Sequence, residues 1–393
     1  MTTDSPFFLA KVECPVCKTI NEFETVRMGA YVEEGRDSDF CPRDIKWRYP
    51  KYDGYNPLVF FVATCSNCFY SREFTPAFKD WKADTNFRTY RLRTTKDKHL
   101  EQLSTAESVV KRLGTGIEMG RFPNQSAILK LHLAVFDEQL FEHHSKLDLG
   151  RFYLRIAWVF RSMGNSVNPQ VSRMRGFTYE LETRHDGINE AVRGTRDKVS
   201  EFLEAVRKEF DADTVTADLR GQMLPYQDRF FAEADRLTGK LATVEEQVGE
   251  LRSVIEEFKT VGVGLGDIST EPMFGGFGSF SEFLYDLKKV WDGVVTNERE
   301  ALQKAVYFYR AAFTEGRGIA PGNQQIQASY LIAELSRRIG DFVTAREFFN
   351  STIKHGQEFI YRNRHDKTQT ALARKILELA IEQGKSTMAT TAV

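Results

Sequence analysis

The 393-residue chain has almost no net charge, no long apolar run and only five cysteines. Each scarcity removes a class of protein. Lys and Arg number 54 against 55 Asp and Glu, so no global field draws the chain to nucleic acid. The longest apolar run, Pro57 to Cys65, falls far short of the ~20 residues that span a bilayer. Met1 to Lys11 lacks the basic stretch and apolar core of a secretory leader, which makes the cytoplasm the expected compartment. Familiar catalytic signatures are missing too. There is no Gly-x-Ser-x-Gly elbow and no HExxH, and no Gly-Lys-Ser/Thr directly follows the glycine-rich stretch 262–278, so no such hydrolase, zincin or P-loop is read. The seven histidines, His143-His144 among them, have no cysteine or carboxylate companions at ligand spacing.

Four of the five cysteines form two pairs, Cys14-Pro15-Val16-Cys17 and Cys65-Ser66-Asn67-Cys68. Two residues between cysteines let a tight turn aim both sulfurs at one ion, and four thiolates suit tetrahedral zinc. The expectation is a structural Zn²⁺ on Cys14, Cys17, Cys65 and Cys68, in a reducing compartment where thiols persist. A redox dithiol or iron is the alternative. The pairs are 47 residues apart, against about 15–20 in the usual two-pair pattern, so an excursion is expected between them. Lys18 and Phe69 stand where a glycine often follows the second cysteine. Cys41 is read as a buried, unligated thiol.

Residues 12–75 mix short β-rich runs, Phe23 to Val26 and Leu58 to Thr64, with turn formers, which predicts a small β-rich head. Between the pairs, Arg36-Asp37-Ser38-Asp39-Phe40 reads as a turn with Arg36 paired to Asp37 or Asp39, the alternative being a recognition pocket. The series CPVC, RDSDF, NPLVF and CSNC resembles the N-terminal part of a bacterial family known only as domain of unknown function 2225. Tyr330 to Phe342, with Arg337 and Arg338 as candidate contacts for an acidic peptide, resembles its C-terminal part. The likeness covers roughly 1–165 and 297–360 and implies fold and context but little function.

From about Ser126 the period changes to 3.6, with Ile128, Leu129, Leu131, Ala134, Val135 and Leu140 on one face and Asn124 or Ser126 as cap. A second helix is expected over Leu149 to Met163. Ala157 precedes Gly164 by the interval that separates Ala333 from Gly340, and Ala305, Tyr309 and Ala312 share the spacing of Ala345, Phe349 and Thr352. Small residues at such positions suggest tetratricopeptide-like helix pairs, with an insertion opening the first pair. Phe230, Ala234, Leu237, Leu241, Val244, Val248, Leu251, Ile255 and Phe258 alternate by four and three, a coiled-coil seam. Leu181, His185, Ile188, Val192, Thr195, Val199, Phe202 and Val206 supply the partner, with a break expected at Gly221 and Pro225. This predicts an antiparallel hairpin, the alternative being pairing between chains into a homo-oligomer.

The expected organisation is a zinc-stapled β-rich head at 1–86, a basic linker and helix at 87–125, and a tetratricopeptide-like domain at 126–165 and 297–384. A coiled-coil insertion fills 166–261, a Gly/Phe-rich loop and connecting helix 262–296, and a disordered tail 385–393. The fold class is mainly α. The expected function is a non-catalytic scaffold that binds a protein partner through the repeat groove or the arm. Two alternatives stand beside it: a zinc-dependent nucleic-acid-binding regulator using the basic run 87–99, and a thiol-redox or unrecognised enzyme. The first loses ground because 166–260 holds 14 basic against 19 acidic residues.

Overall fold

The computed structural model describes residues 5–49, 52–165, 169–211, 215–261, 273–316 and 318–391. It divides into two compact units, Met1–Val167 with Glu271–Val393, and Asn168–Thr270. As the composition implied, the chain is mainly helical, with small β-structure confined to the N-terminal part.

The first unit opens with three antiparallel hairpins: β1 (Phe7–Glu13) with β2 (Ile20–Val26), β3 (Tyr31–Arg36) with β4 (Pro42–Trp47), and β5 (Val62–Thr64) with β6 (Ser71–Glu73). Each cysteine pair is the turn of a hairpin, since Glu13 pairs with Ile20 and Thr64 with Ser71. The β3–β4 hairpin is the excursion between them. The run Leu58 to Thr64 is not one strand. Asn56 accepts a hydrogen bond from the Leu58 N–H at 3.0 Å and, with Pro57 at the first position, starts a 3₁₀ turn over Pro57–Phe60, so the strand begins only at Val62.

Short α1 (Pro76–Lys79) and a π-helical stretch, Phe87–Leu92, lead into α2 (Arg93–Ser104) and α3 (Val109–Thr115). Next come α4 (Pro123–Gln139) and α5 (Lys146–Asn165). The second unit holds α6 (Pro169–Phe210) and α7 (Ala217–Val261). The first unit resumes with α8 (Phe280–Val290), α9 (Glu298–Glu315), α10 (Asn323–Ile339), α11 (Phe342–Arg362) and α12 (Lys367–Thr391). No helix among the described residues is long and apolar enough to cross a membrane.

Helix α4 differs from its expectation at both levels. It starts at Pro123, whose fixed φ suits the first helical position. Asn124 and Ser126 are used elsewhere, accepting from the backbone N–H of Asn56 at 2.9 Å and of Glu118 at 3.0 Å. Nor does α4 show one apolar face: every residue from Ser126 to Glu138 is buried. It lies against the Pro57–Phe60 turn, β5, β6, α3 and α5, so one continuous core joins Phe7, Trp47 and Phe60 of the hairpins to Ile128, Leu131 and Ile156 of the helices.

A buried helix must satisfy its polar groups internally. Lys130 donates to the Val59 carbonyl at 2.5 Å. The His132 Nδ1 donates to the Ile128 carbonyl at 2.9 Å, while Nε2 accepts from the Val295 N–H at 3.0 Å. Burial pushes this imidazole down from 6.5 to about 4. Below pH 6.5 the unfolded chain takes up a proton that the native one refuses, so stability falls with pH until about 4. The loss is about 3 kcal/mol at about 1.4 kcal/mol per pH unit. Urea midpoints measured from pH 7 to 4 are therefore expected to fall less in His132→Gln, which keeps an acceptor without the titration. Parallel curves for the two proteins would refute the assignment.

The remaining helices form a layer in which α5 packs along α9, α9 against α10, α10 against α11, and α11 against α12. Ala157, Ala305, Ala333 and Ala345 are fully buried. At Gly150 a Cβ would lie 3.1 Å from the Tyr309 ring, so α5 and α9 approach closely there. On α12, Ala373, Ile376 and Ala380 are buried, whereas Leu372 and Ile381 are exposed. The expected disordered tail is helical through Thr391, because Gly384 rests on Phe349 of α11 and Thr387 is buried.

In the second unit α6 and α7 run antiparallel. His185 meets the Val248 carbonyl at 2.8 Å, Arg196 meets Glu245 at 2.8 Å, and Phe202 meets Phe230, one number rising as the other falls. The reversal lies between Phe210 and Ala217, ahead of the expected break. Gly221 and Pro225 sit inside α7 at exposed positions, where the carbonyl that Pro225 leaves without a donor turns to water. The glycine run 262–266 lies outside the described residues. Of the residues after it, Met273 is exposed but Phe274 is buried among Phe122, Phe280 and Phe283.

Candidate metal centre

The two hairpin turns bring Cys14, Cys17, Cys65 and Cys68 together with all four Sγ atoms within 4.8 Å of one another. Cys14 lies 3.6 Å from Cys68 and Cys17 3.5 Å from Cys65. A tetrahedron with metal–sulfur bonds of ~2.3 Å has edges of ~3.8 Å, so the set fits a metal ion.

The turns are alike. In each, the residue after the second cysteine donates back to the first cysteine's carbonyl, Lys18 to Cys14 at 3.0 Å and Phe69 to Cys65 at 2.9 Å. Both adopt the left-handed conformation that glycine would take, with φ of 65° and 63°. Packing holds them there. Lys18 lies over the Trp81 ring, and the Phe69 ring occupies the space a Cβ on Gly114 would fill, 2.1 Å away.

Around the sulfurs the chain supplies a second set of bonds. Asn21 donates to the Cys65 Sγ at 3.4 Å and accepts from both the N–H and the hydroxyl of Ser66. His99 donates from Nε2 to the Cys68 carbonyl at 2.8 Å, and its Nδ1 lies 2.6 Å from Asp137. The other oxygen of Asp137 accepts from the Ser71 N–H at 2.7 Å. A carboxylate of α4 thus orients a histidine of α2 against the second turn, across 38 residues of sequence. Without a cation, four thiolates cannot coexist at this spacing. Cys14, beside Cys65, is pushed up to about 12, and Cys68 is raised by Cys14 and Cys65. Cys65, which accepts from both, is lowered. Cys41 lies apart, buried, its thiol pushed up to about 12 by burial.

The β3–β4 tip carries the other motif residues. Arg36 does not pair with Asp37 or Asp39. It bonds Glu33 on its own hairpin and stays exposed. Asp37 and Asp39 turn inward to Arg161 of α5, which the sequence did not single out. Arg161 holds Asp39 with two bonds, 2.9 and 2.8 Å, and bonds Asp37 at 3.0 Å and Glu298 at 2.7 Å. Burial works against its charge, but Asp39 and Glu298 raise its pKa above the ordinary value. Arg338 lies 3.5 Å from Asp39 and bonds buried Glu334 at 2.9 Å, while Arg337 grips Glu334 with bonds of 2.8 and 2.7 Å. Ser38 completes the cluster, donating to Glu334 at 2.5 Å and receiving the Tyr330 hydroxyl on its carbonyl at 2.8 Å. With Arg43 on Asp37, four carboxylates meet four guanidiniums and the cluster is neutral.

In the basic run, Arg91 pairs with buried Glu138, Lys98 donates to the Leu140 carbonyl and His99 is buried. Arg91 and His99 are thereby committed to the fold.

These features define a mainly helical protein with a head whose four cysteines lie at a spacing that fits a metal ion. The profile of a family described as "Uncharacterized protein conserved in bacteria (DUF2225)" matches residues 7–201 and 282–375, and the chain belongs to that family. No curated protein and no solved structure matches the chain. The match runs well into α6 and resumes in α8, so the stretch outside the family pattern is 202–281 rather than the whole arm.

Proposed function

We propose that this chain is a non-catalytic adaptor in which zinc fixes the head and the helical layer binds a protein partner. The observation that carries the reading is that the reactive groups are closed on one another. All four sulfurs converge on one ion position, leaving no position for a substrate, and the charged motif residues pair among themselves. Zinc is favoured by the all-thiolate donor set and the short separations. The layer is read as tetratricopeptide-like because buried alanines and tyrosines recur where its helices meet. Such layers take a helix or an extended peptide into a groove. Tyr307 of α9 and Val343 and Tyr361 of α11, 65, 82 and 72% exposed, are the most exposed of the large apolar side chains it offers.

The test is recovery of partners from the native cell with the full, metal-loaded chain and with a Tyr307→Ser, Val343→Ser, Tyr361→Ser variant. One partner held by the first and lost by the second is expected. Identical recovery with both proteins overturns the assignment of the surface, and substrate turnover by the metal-loaded chain overturns the non-catalytic reading.

A further inference from the structure

The α6–α7 arm leaves half of its apolar seam uncovered, and the uncovered half lies along one side. On α7 the column Ala234, Val248 and Ile255 is 6–7% exposed, and on α6 His185 is 6% exposed opposite it. The next column is open. Ile188 and Phe202 on α6 are 50 and 57% exposed, and Leu237, Val244 and Leu251 on α7 are 47, 41 and 54% exposed. Ile188, Leu237 and Leu251 each lie three residues beyond a covered position, and Phe202 and Val244 three beyond the half-buried Val199 and Leu241, a rotation of about 60° at 3.6 residues per turn. In antiparallel helices that rotation carries both open columns to the same side of the pair. The opposite edge is closed by ion pairs, Arg196 with Glu245 at 2.8 Å and Arg252 with Asp186 at 3.1 Å.

We infer that this open side packs against the same side of a second copy of the chain, so that two arms form a four-helix bundle. Three features favour a second copy. The first is the width of the stripe. Val254, 46% exposed, with Ala191 and Ala205, also exposed, extends it at three points past the open columns, Lys198, Lys240 and Gln247 occupying the intervening heptad positions. One docked helix rests on the two open columns and leaves this outer set wet, whereas a two-helix layer covers it.

The second feature is symmetry. Equivalent columns of two antiparallel helices are related by an approximate two-fold, so the face is complementary to itself when turned over. The third is area. From Leu237 to Val254 the stripe runs about 25 Å along helices that together are about 20 Å wide, on the order of 500 Å². That is near the upper limit of what monomers leave exposed, and doubled it reaches the ~1,000 Å² at which specific interfaces begin. A reversible dimer is therefore expected. The inference concerns the arm alone and stands apart from the partner proposed for the helical layer.

Sedimentation equilibrium of the full, metal-loaded chain from about 1 to about 100 µM spans the range in which such an interface is half formed. The mass is expected to rise from 45.1 kDa to twice that value. Val244→Asp with Leu251→Asp is expected to weaken association at least tenfold while far-UV circular dichroism keeps its helical amplitude, and Glu250→Gln, off the stripe, leaves it unchanged. Should the double variant lose helicity, Val244→Ser with Leu251→Ser is read by the same criteria. A wild-type mass of 45.1 kDa throughout, or a folded stripe variant that dimerises as wild type does, overturns the inference.

Discussion

Cys65→Ser, or removal of the metal by a chelator, is expected to unfold the head and to destabilise the rest of the first unit. The core around the sulfurs is small: Val12, Val16, Ala63, Tyr70, Phe78 and Trp81 pack against them, in hairpins of which β5 and β6 have only three residues each. Strands that short do not hold a turn by themselves. Metal binding supplies about 10–16 kcal/mol of apparent free energy in small all-cysteine and mixed sites, coupled to folding. The loss does not stay local, because the second turn is tied through Ser71 and His99 to Asp137 of α4. The expected result is one metal per chain, four thiols protected from alkylation, and a melting temperature that drops by more than 10 °C on removal, since about 1 kcal/mol moves it by roughly 2–4 °C in a unit of this size. The metal is also expected to leave on acidification, because protons compete with it for the four thiolates. Alkylation of all four thiols at the rate of a free peptide, with an unchanged melting temperature, would remove the metal from the account.

The cysteine pairs could be read from the sequence because their geometry is local: two intervening residues are the turn. The helices could be read because a 3.6-residue period is local too. What stayed hidden depends on segments that meet only after folding. Arg161 looks like any polar residue on the outer face of an amphipathic helix, and nothing in the chain near it announces Asp39 of the β3–β4 tip. A faint signal did exist for Asp137 and His132, charged or polar residues at positions where α4 has no outer face, but it speaks only once α4 is known to be buried all round. The Arg36 reading failed for the same reason in reverse: a nearer carboxylate, Glu33, was within the hairpin. Pro225 was over-weighted, since an exposed proline early in a long helix removes one bond and leaves the partner carbonyl to water.

Asp39→Asn and Arg161→Met test whether the motif at the β3–β4 tip is a structural lock or a ligand pocket. Asp39 is fully buried and Arg161 nearly so, and each faces its partner through two bonds. Removing either charge leaves the other to its weaker set of partners, Asp37 and Glu298 for Arg161 and Arg338 for Asp39, and breaking a buried pair costs up to about 3–5 kcal/mol. Each single variant is therefore expected to lose about that much, read as a lowered urea midpoint at constant slope. A double variant, Asp39→Asn with Arg161→Met, is expected to lose clearly less than the sum, because neither desolvated charge then remains. Arg36→Ala supplies the contrast. Its pair with Glu33 is exposed, and a change within about 0.5 kcal/mol is expected. A ligand pocket predicts the reverse order, with Asp39 and Arg161 variants that fold as well as wild type, because side chains held ready for a ligand contribute little to the free protein. The lock carries one further consequence. Asp37, Ser38 and Asp39 bond α5 and α10 directly, and Arg161 carries the link on to Glu298 of α9, so the tip between the two metal-binding turns fastens the same helices whose packing builds the layer. Losses from Asp39→Asn and from metal removal are then expected to be less than additive, since both loosen one hairpin-to-helix interface, and strict additivity would mean that the tip and the metal-binding turns stabilise separate parts of the fold.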